Sequence, residues 1–340
     1  MLKSALTLAV LAMANGLASA QSSVTVYGRI DLGLVLDSGN PAGKSVRISS
    51  GAGSASRLGF KGTEDLGDGY KAGFQLETGF CADSAAGAPN FCTGSNNFMG
   101  RQAHVDLSAP IGTLIVGRQY SLGFWNLIAI DPFTTGYAGR INNTVDGSGT
   151  YLNNSARYTT PVLGGVTASL EGALGEQVGN WRGNREVGGN VTYAAGPVVA
   201  EATVYDVRNA NGVGTARKDV QVGATYNFDI VKIHGLIQKS DGQPTTGARI
   251  DALDFMLGAT IPALGGNFLT SYVHHHDQTS LQHTASQVGA GYNYPLSKRT
   301  SVYTAFAKIQ NRNGASFTVG NSTEAGTGDK SFNLGVIHNF

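Results

Sequence analysis

The stretch SRLGFKGTEDLGDGYKAGFQLETGF, residues 56–80, carries charged side chains at an even spacing in two short runs. Arg57 and Lys61 stand four residues apart in the first run, and Lys71 and Glu77 stand six apart in the second. An even spacing places side chains on one face of a strand. Fixed charges of both signs on a wet face can attract and orient ions. Two architectures offer such a face: a soluble sheet with one wet side, and a barrel with a wet interior.

Other residues with catalytic or metal-binding chemistry do not form a complete set. His274 and His276 of HHHDQ share a strand face, but no full set of metal ligands accompanies them. The segment GAGSAS, residues 51–56, begins like a nucleotide-binding loop, yet it lacks the strand–helix context and the Lys-Ser/Thr pair. No Ser-His-Asp order can be defended. The sequence therefore predicts no metal, no cofactor and no enzyme activity.

Composition favours strands and argues against a nucleic-acid partner. The chain has 340 residues, of which 48 are glycine and only 14% are charged. Because glycine disfavours helices, this mix suits strands and turns. The 24 basic residues balance the 23 acidic residues, and the sequence has no basic stripe of the kind that nucleic acid requires.

The N-terminus has the pattern of a secretory signal. Lys3 precedes a short apolar run at residues 5–14, and ASA at 18–20 fits a cleavage site with small residues. We expect residues 1–20 to be removed. Because no linker or charge block divides the remainder, we expect residues 21–340 to form a single domain.

Two cysteines, Cys81 and Cys92, flank a loop rich in Ala, Gly and Pro. Disulfides persist in exported proteins, and no histidine lies nearby in the sequence to complete a metal site. The pair is therefore predicted to form a disulfide that pins this loop.

Short and long connections alternate along the chain. The short ones are EDLGDG, SAPIGT, TPVLGG, AAGPV, NFDIV, IPALGG and YPLSKR, and the longer, polar ones include DSGNPAGKS, VRNANGVGTARKD, QKSDGQPTTGARID and HHHDQTSLQH. Seven short turns between eight longer loops imply about 16 strands of the length that crosses a membrane with tilt. The sorting of loops by length is typical of outer-membrane barrels. The predicted fold class is therefore all-β: an antiparallel up-and-down transmembrane barrel with a wet lumen.

Alternation supports the barrel in some strands and not in others. In SVTVYGRIDLGLVLD, the apolar Val24, Val26 and Ile30 alternate with polar residues that include Arg29 and Asp31. By contrast, NFLTSYVHHH and SVYTAFAKIQ carry apolar residues on both faces. A subunit interface or a mobile lumen wall would each explain that pattern, and the sequence does not choose between them.

The longest connection, residues 121–151, begins with the apolar run LGFWNLIAI. A loop of about 30 residues without strands is uncommon unless it is functional, and exposed apolar surface is unfavourable. We expect the loop to pack against the lumen wall, to narrow the pore, and to place Asp131 and Asp146 opposite basic strand residues. The alternatives are a cap over the barrel mouth and a contact with a neighbouring subunit.

The chain resembles the Gram-negative general porins, closest to the betaproteobacterial type, in SVTVYGRIDLGL, SRLGFKGTEDLGDGYKAGFQLETGF, RQAHVDLSAPIGTLIVGRQY, DPF, NNSARYTTP and the terminal Phe340. The resemblance implies a barrel of sixteen strands, a homotrimer among the lipids and lipopolysaccharide of the outer membrane, and a third loop folded into the pore. It also implies passive diffusion of small hydrophilic solutes and ions. The last strand, ending in Phe340, looks like the signal that the barrel-assembly machinery reads.

The resemblance also implies which residues form the pore constriction. Arg57 and Arg101 match the basic wall, Glu77 matches a lumen carboxylate, and Asp131 of DPF matches the acidic partner on the loop. With the other charges that alternation and the loop add, the candidate constriction residues are Arg57, Arg101, Glu77, Asp131, Arg140, Arg29, Lys61 and Lys71.

Two points stay open at the level of sequence. The third arginine of the family usually precedes NNS, where this chain has no basic residue, and Arg140, Arg118 or Arg157 could replace it. Alternation with Val105 would point Arg101 outward, so its place in the lumen rests on the resemblance alone.

A constriction with basic groups on one wall and carboxylates on the facing loop would create a transverse field. The candidate set is modestly basic, which favours a weak anion preference, although Lys61 and Lys71 read equally well as solvated lumen residues. One rival is a substrate-specific channel, which a row of lumen aromatics would favour, and the sequence shows no such row. The other is a barrel-type enzyme or adhesin.

Overall fold

The computed structural model describes residues 23–84, 98–146 and 149–340. The predicted signal at residues 1–20 and the cysteine at Cys92 lie outside the described residues. The signal peptide and the disulfide between Cys81 and Cys92 therefore stay predictions.

The described residues form 17 strands. They are β1 (Ser23–Asn40), β2 (Gly43–Ser50), β3 (Arg57–Gly67), β4 (Tyr70–Gly79), β5 (Gln102–Ala109), β6 (Gly112–Tyr120), β7 (Tyr151–Thr159), β8 (Val166–Ala173), β9 (Glu186–Ala195), β10 (Val198–Arg208), β11 (Thr215–Asn227), β12 (Lys232–Gly242), β13 (Ile250–Ala263), β14 (Gly266–Asp277), β15 (Ala285–Pro295), β16 (Thr300–Asn311) and β17 (Lys330–Asn339).

The sheet closes into a barrel because β1 pairs with β17, from Arg29 opposite Asn339 to Ser38 opposite Lys330. On its other edge, β1 pairs with β3 through its first part and with β2 through its second part. The strands β2 and β3 therefore share one position in the wall, and residues 51–56 leave the wall between them. All pairings are antiparallel. The 17 strands therefore occupy 16 positions around the barrel, which confirms the predicted antiparallel barrel of about 16 strands.

The seven short connections all lie at one end of the barrel, as predicted. Most connections at the other end are longer, but the strands extend further into them than the sequence indicated. The clearest correction concerns DSGNPAGKS, where only residues 41 and 42 separate β1 from β2. Asn40 closes this turn by accepting a hydrogen bond from the backbone N–H of Ala42 at 2.8 Å.

The barrel has an apolar outer face and a largely polar inner face. Val24 and Val26 of β1 are exposed on the outside, whereas Asp31 and Asp37 of the same strand are buried on the inside. In a barrel that spans lipid, the outer face must be apolar and the inner face can hold charge. The wet face inferred for residues 56–80 therefore faces the lumen.

The long connection between β6 and β7 folds into the barrel, as expected. We call residues 121–146 the inner loop. It contains the helix α1 (Leu122–Ile130), where Ser121 caps the N-terminus by accepting a hydrogen bond from the N–H of Phe124 at 3.1 Å. A 3₁₀ helix follows at Ile141–Asn143. Within the described ranges, no helix has the length and apolar character needed to cross a membrane.

Apolar side chains hold the inner loop against the lumen wall. Leu127, Ile130, Ile141 and Val145 of the loop form a buried cluster with wall residues, which are Leu236, Met256 and Val273. A second cluster joins Phe133, Tyr137 and Ala138 to the inner face of β16, which contributes Tyr303, Ala305, Ala307 and Ile309. This packing explains why β14 and β16 are apolar on both faces: one face lies on the outside of the barrel, and the other is covered by the loop.

A matched pair of glycines tests this docking. A methyl group at Gly258 of β13 would lie 2.7 Å from Cγ of Pro132 in the inner loop, whereas the nearest neighbouring atom at Gly235 of β12 is 4.0 Å away. We expect Gly258→Ala to lower the free energy of unfolding by about 1–3 kcal/mol through overpacking. Gly235→Ala should change it by less than about 0.5 kcal/mol. Urea unfolding of the barrel in lipid vesicles measures both, and equal stability of the two variants would contradict the docking.

Candidate constriction site

A cavity of about 710 Å³ lies between the inner loop and the opposite wall of the barrel. The wall contributes residues from β1, β3, β6 and β7, from the segment at 51–56, from Arg101 just before β5, and from Ser322 and Thr323 between β16 and β17. The inner loop contributes residues from α1 and from the chain after it. The lining of the cavity includes four arginines, which are Arg29, Arg57, Arg101 and Arg140.

Two of these arginines are held by one serine. Arg29 donates from Nη1 to Oγ of Ser54 at 2.6 Å, and Arg57 donates from Nη2 to the same oxygen at 3.1 Å. Arg29 also donates from Nε to the side-chain oxygen of Asn339 at 2.7 Å. Because Ser54 accepts from both guanidinium groups, it fixes two positive charges side by side on the pore wall.

The segment 51–56 carries Ser54 inward from the wall. The carboxylate of Asp31 accepts the backbone N–H groups of Gly53, at 2.8 Å, and of Ser54. Tyr303 donates its hydroxyl to the other oxygen of Asp31 at 2.6 Å. The inner loop joins the segment where Tyr137 donates its backbone N–H to the carbonyl of Gly53 at 3.2 Å. GAGSAS, which has no chemistry of its own, therefore connects the basic wall to the loop.

Arg101 faces the lumen. It lies just before β5, so the alternation of that strand does not govern its direction. Its Nε donates to Oε1 of Glu77 at 2.6 Å, and its Nη2 donates to the hydroxyl of Tyr120. Glu77 also accepts from the hydroxyl of Tyr27 at 3.1 Å, and it lies 4.0 Å from Nη1 of Arg57. With only 3% of its surface exposed, Glu77 positions the arginines and adds little surface charge to the pore.

The structure corrects the role expected for Asp131. This residue is 2% exposed and accepts the backbone N–H groups of Phe133, Thr135 and Ile141 at 3.0, 2.9 and 3.1 Å. Burial raises the pKa of Asp131 to about 6, against the lowering effect of these three donors. Its carboxylate organises the turn after α1 from within and does not face the basic wall across the pore.

Of the three arginines that the sequence left open for the third basic position, Arg140 lines the cavity. Its Nε donates to Oδ1 of Asn143 at 3.1 Å, and its side chain lines the cavity. Burial lowers the pKa of Arg140 to about 10, so the guanidinium keeps its charge at neutral pH. The two alternatives have other contacts: Arg157 pairs with Glu171 on the wall, and Arg118 lies 4.8 Å from the ring centre of Tyr151.

The lysines of the candidate set lie away from the cavity. Lys61 places its ammonium group 5.4 Å from the ring centre of Tyr27, and Lys71 is exposed near the turn that follows β3. Neither lines the cavity. Both positions agree with the reading of these lysines as solvated residues.

Four arginines of the cavity lining face a single carboxylate, that of Asp146. Asp146 accepts from Nη1 of Arg217 at 2.6 Å, so its charge is already paired. A low-dielectric wall focuses the field of fixed charges into a narrow opening. Positive groups therefore outnumber negative ones in the lining of this cavity.

An aromatic cluster in the lumen was not foreseen from the sequence. Tyr120 stacks between Phe124, at a ring-centre distance of 5.1 Å, and Tyr151, at 4.7 Å, and Trp125 meets it edge-on at 5.2 Å. These residues come from the end of β6, from α1 and from the start of β7. Tyr120 and Tyr151 are cross-strand partners on β6 and β7. Phe124 and Trp125 follow Tyr120 by four and five residues, and α1 turns them back onto that pair.

Comparison with known proteins gives one consistent result. The sequence pattern of the Gram-negative porins matches residues 7–314. Outer membrane porin protein 32 of Delftia acidovorans is 33% identical over all of both chains. Major outer membrane protein P.IB of Neisseria meningitidis serogroup B is 28% identical, over 95% of this chain and 97% of that protein. The solved structure of the anion-selective porin from Comamonas acidovorans superposes with a TM-score of 0.81 at 30% identity, over 94% of this chain and 100% of that one.

Replacement of Asp131 tests its role in holding the loop. Asp131→Ala leaves three buried N–H groups without their acceptor, at a cost of about 1–3 kcal/mol each. We expect the single-channel current to become noisier as the loop moves. Asp131→Asn keeps one acceptor oxygen and should show a smaller effect. Currents as quiet as those of the unmodified protein in both variants would contradict this role.

Proposed function

Since the chain belongs to the Gram-negative porin family, we propose that it lets small hydrophilic solutes and ions diffuse passively across the outer membrane, with a weak preference for anions. Members of the family are channels of the outer membrane and not enzymes, so this protein is an outer-membrane porin. One observation carries the proposal: a water-accessible cavity between the inner loop and the wall, lined by four arginines.

The anion preference follows from the charges at the cavity. Arg29, Arg57 and Arg140 have no carboxylate within hydrogen-bond distance among the described residues, whereas Arg101 is neutralised by Glu77. Anions therefore gain energy on entry and cations lose it. The name of one relative supports the same direction, since the porin from Comamonas acidovorans is called anion-selective.

We propose the four arginines as the constriction residues, with Glu77 as a positioning residue. Asp131 belongs to the loop's internal structure, and Lys61 and Lys71 lie outside the cavity. A substrate-specific channel remains the alternative, and the aromatic cluster at the constriction is the observation that favours it.

The proposed partners follow from the same family. We propose a homotrimer surrounded by outer-membrane lipid and lipopolysaccharide, formed from residues 21–340 after removal of the signal. The strand β17 and Phe340 are proposed as the segment that the barrel-assembly machinery reads. Phe340 exchanges two backbone hydrogen bonds of 3.1 Å with Gly28, so the terminal residue also completes the closure of the barrel.

Reversal potentials in a salt gradient across a planar bilayer test the anion preference. Arg57→Gln removes one cavity charge, and a unit charge about 4 Å from an ion is worth about 1 kcal/mol in water. We expect the permeability to anions to fall, and that to cations to rise, each by up to about fivefold, so the ratio of anion to cation permeability falls. Lys71→Gln is the matched control and should leave the ratio unchanged. Cation preference in the unmodified protein would overturn the proposal.

Native mass spectrometry tests the assembly. We expect protein extracted from outer membranes to have three times the mass of residues 21–340, because both the trimer and signal removal are proposed. A mass of one or two copies would contradict the trimer. A mass that includes residues 1–20 would contradict cleavage.

A further inference from the structure

The helix α1 turns an apolar face toward the pore as well as toward the wall. Leu127 and Ile130 are fully buried against the wall, as the docking of the loop requires. On the opposite side Phe124, Trp125 and Ile128 line the cavity, and Trp125 is 42% exposed. Phe124 and Trp125 contact Tyr120 on this side. The part of the indole that stays exposed in the wet pore is apolar surface that the fold leaves unburied.

The pore-facing rings belong to an aromatic cluster that also contacts Arg101. The guanidinium carbon of Arg101 lies 5.7 Å from the ring centre of Tyr120 and 5.9 Å from that of Tyr151. Tyr120 in turn contacts Trp125 at 5.2 Å. Arg101 and Tyr120 are both buried, and Glu77 pairs with Arg101. The rings of Phe124 and Trp125 line the same cavity as Arg29, Arg57 and Arg140, the arginines that have no carboxylate partner within hydrogen-bond distance among the described residues.

Each half of this surface selects a different part of a ligand. Exposed aromatic rings favour a planar ring, which they meet by offset stacking or edge-to-face contact. Arginine favours a carboxylate, which it binds with paired hydrogen bonds. The positive potential excludes cations, and a neutral apolar solute would gain nothing from the guanidinium groups.

We propose that the constriction is a binding site for aromatic carboxylates, with the ring against Trp125 and Phe124 and the carboxylate on the arginines. The site rests on the proposed anion-conducting function and narrows it to a substrate class. Aromatic carboxylates are retained and passed at concentrations at which aliphatic carboxylates diffuse without binding.

Benzoate, cyclohexanecarboxylate and acetate separate the contributions of ring and charge. All three are monoanions, the first two are similar in size, and only benzoate has a π face. We expect benzoate to block the chloride current through a planar bilayer at a concentration about tenfold lower than either of the others. Equal block by all three would overturn the proposal.

The matched variants are Trp125→Ala and Trp181→Ala. Trp181 is exposed and lies 5.3 and 5.1 Å from the guanidinium carbons of Arg182 and Arg185, but it is outside the cavity. Trp125→Ala should remove the tenfold advantage of benzoate, whereas Trp181→Ala should keep it. An advantage that survives in Trp125→Ala would overturn the proposal.

A binding measurement covers the case in which a variant folds poorly. The chain has two tryptophans, so in Trp181→Phe the fluorescence comes from Trp125 alone. Benzoate should quench or shift this emission with saturation, and acetate should not. No saturable change would overturn the aromatic site.

The same recordings separate this site from the proposed function. A channel that conducts, prefers anions and responds equally to all three carboxylates would keep the proposed function and reject the aromatic site. A channel that prefers cations, or conducts nothing, would reject the proposed function itself.

Discussion

Apolar side chains of the inner loop pack against the wall of the barrel, and the shape of the pore depends on this contact. Leu127 and Ile130 of α1 find their partners on β12, β13 and β14, and Phe133 finds its partners on β16. Without these partners the loop would expose an apolar helix to water. Docking on one wall leaves the opposite wall free, and the remaining space becomes the cavity.

The free wall carries the charges, and the loop helps to hold them in place. Ser54 holds two arginines, and the segment that carries it is fixed by Asp31 on the wall and by the backbone N–H of Tyr137 on the loop. The position of the basic groups and the position of the loop are therefore linked. A shift of the loop would change both the width of the pore and its field.

The sequence predicted the barrel well because loop length and alternation are local properties. The predictions for the residues of the constriction agreed with the structure at some positions and differed from it at others. Arg57 and Glu77 follow strand alternation, and the structure places Arg57 in the cavity lining and Glu77 in a buried position. Asp131 was expected at the pore surface, but backbone N–H groups of the folded loop surround it. The role of GAGSAS also escaped the sequence, since its partners Asp31 and Tyr137 lie outside the segment, on β1 and on the inner loop.

The sequence by itself determined that the chain forms a barrel wall of antiparallel strands. The signs were side chains that alternate with a period of two, short turns at one end, and a chain with too few apolar runs for membrane helices. Those features follow from contacts between residues close in the chain. Only the tertiary structure decided which arginines meet at the pore, which carboxylate stays inside the loop, and that Tyr120, Trp125 and Tyr151 form one surface. The reason is physical: Arg29 meets Arg57, and Tyr120 meets Tyr151, through the pairing of strands in the closed barrel. Arg140 and Asp131 take their places only when the loop packs against wall residues about one hundred positions further along the chain.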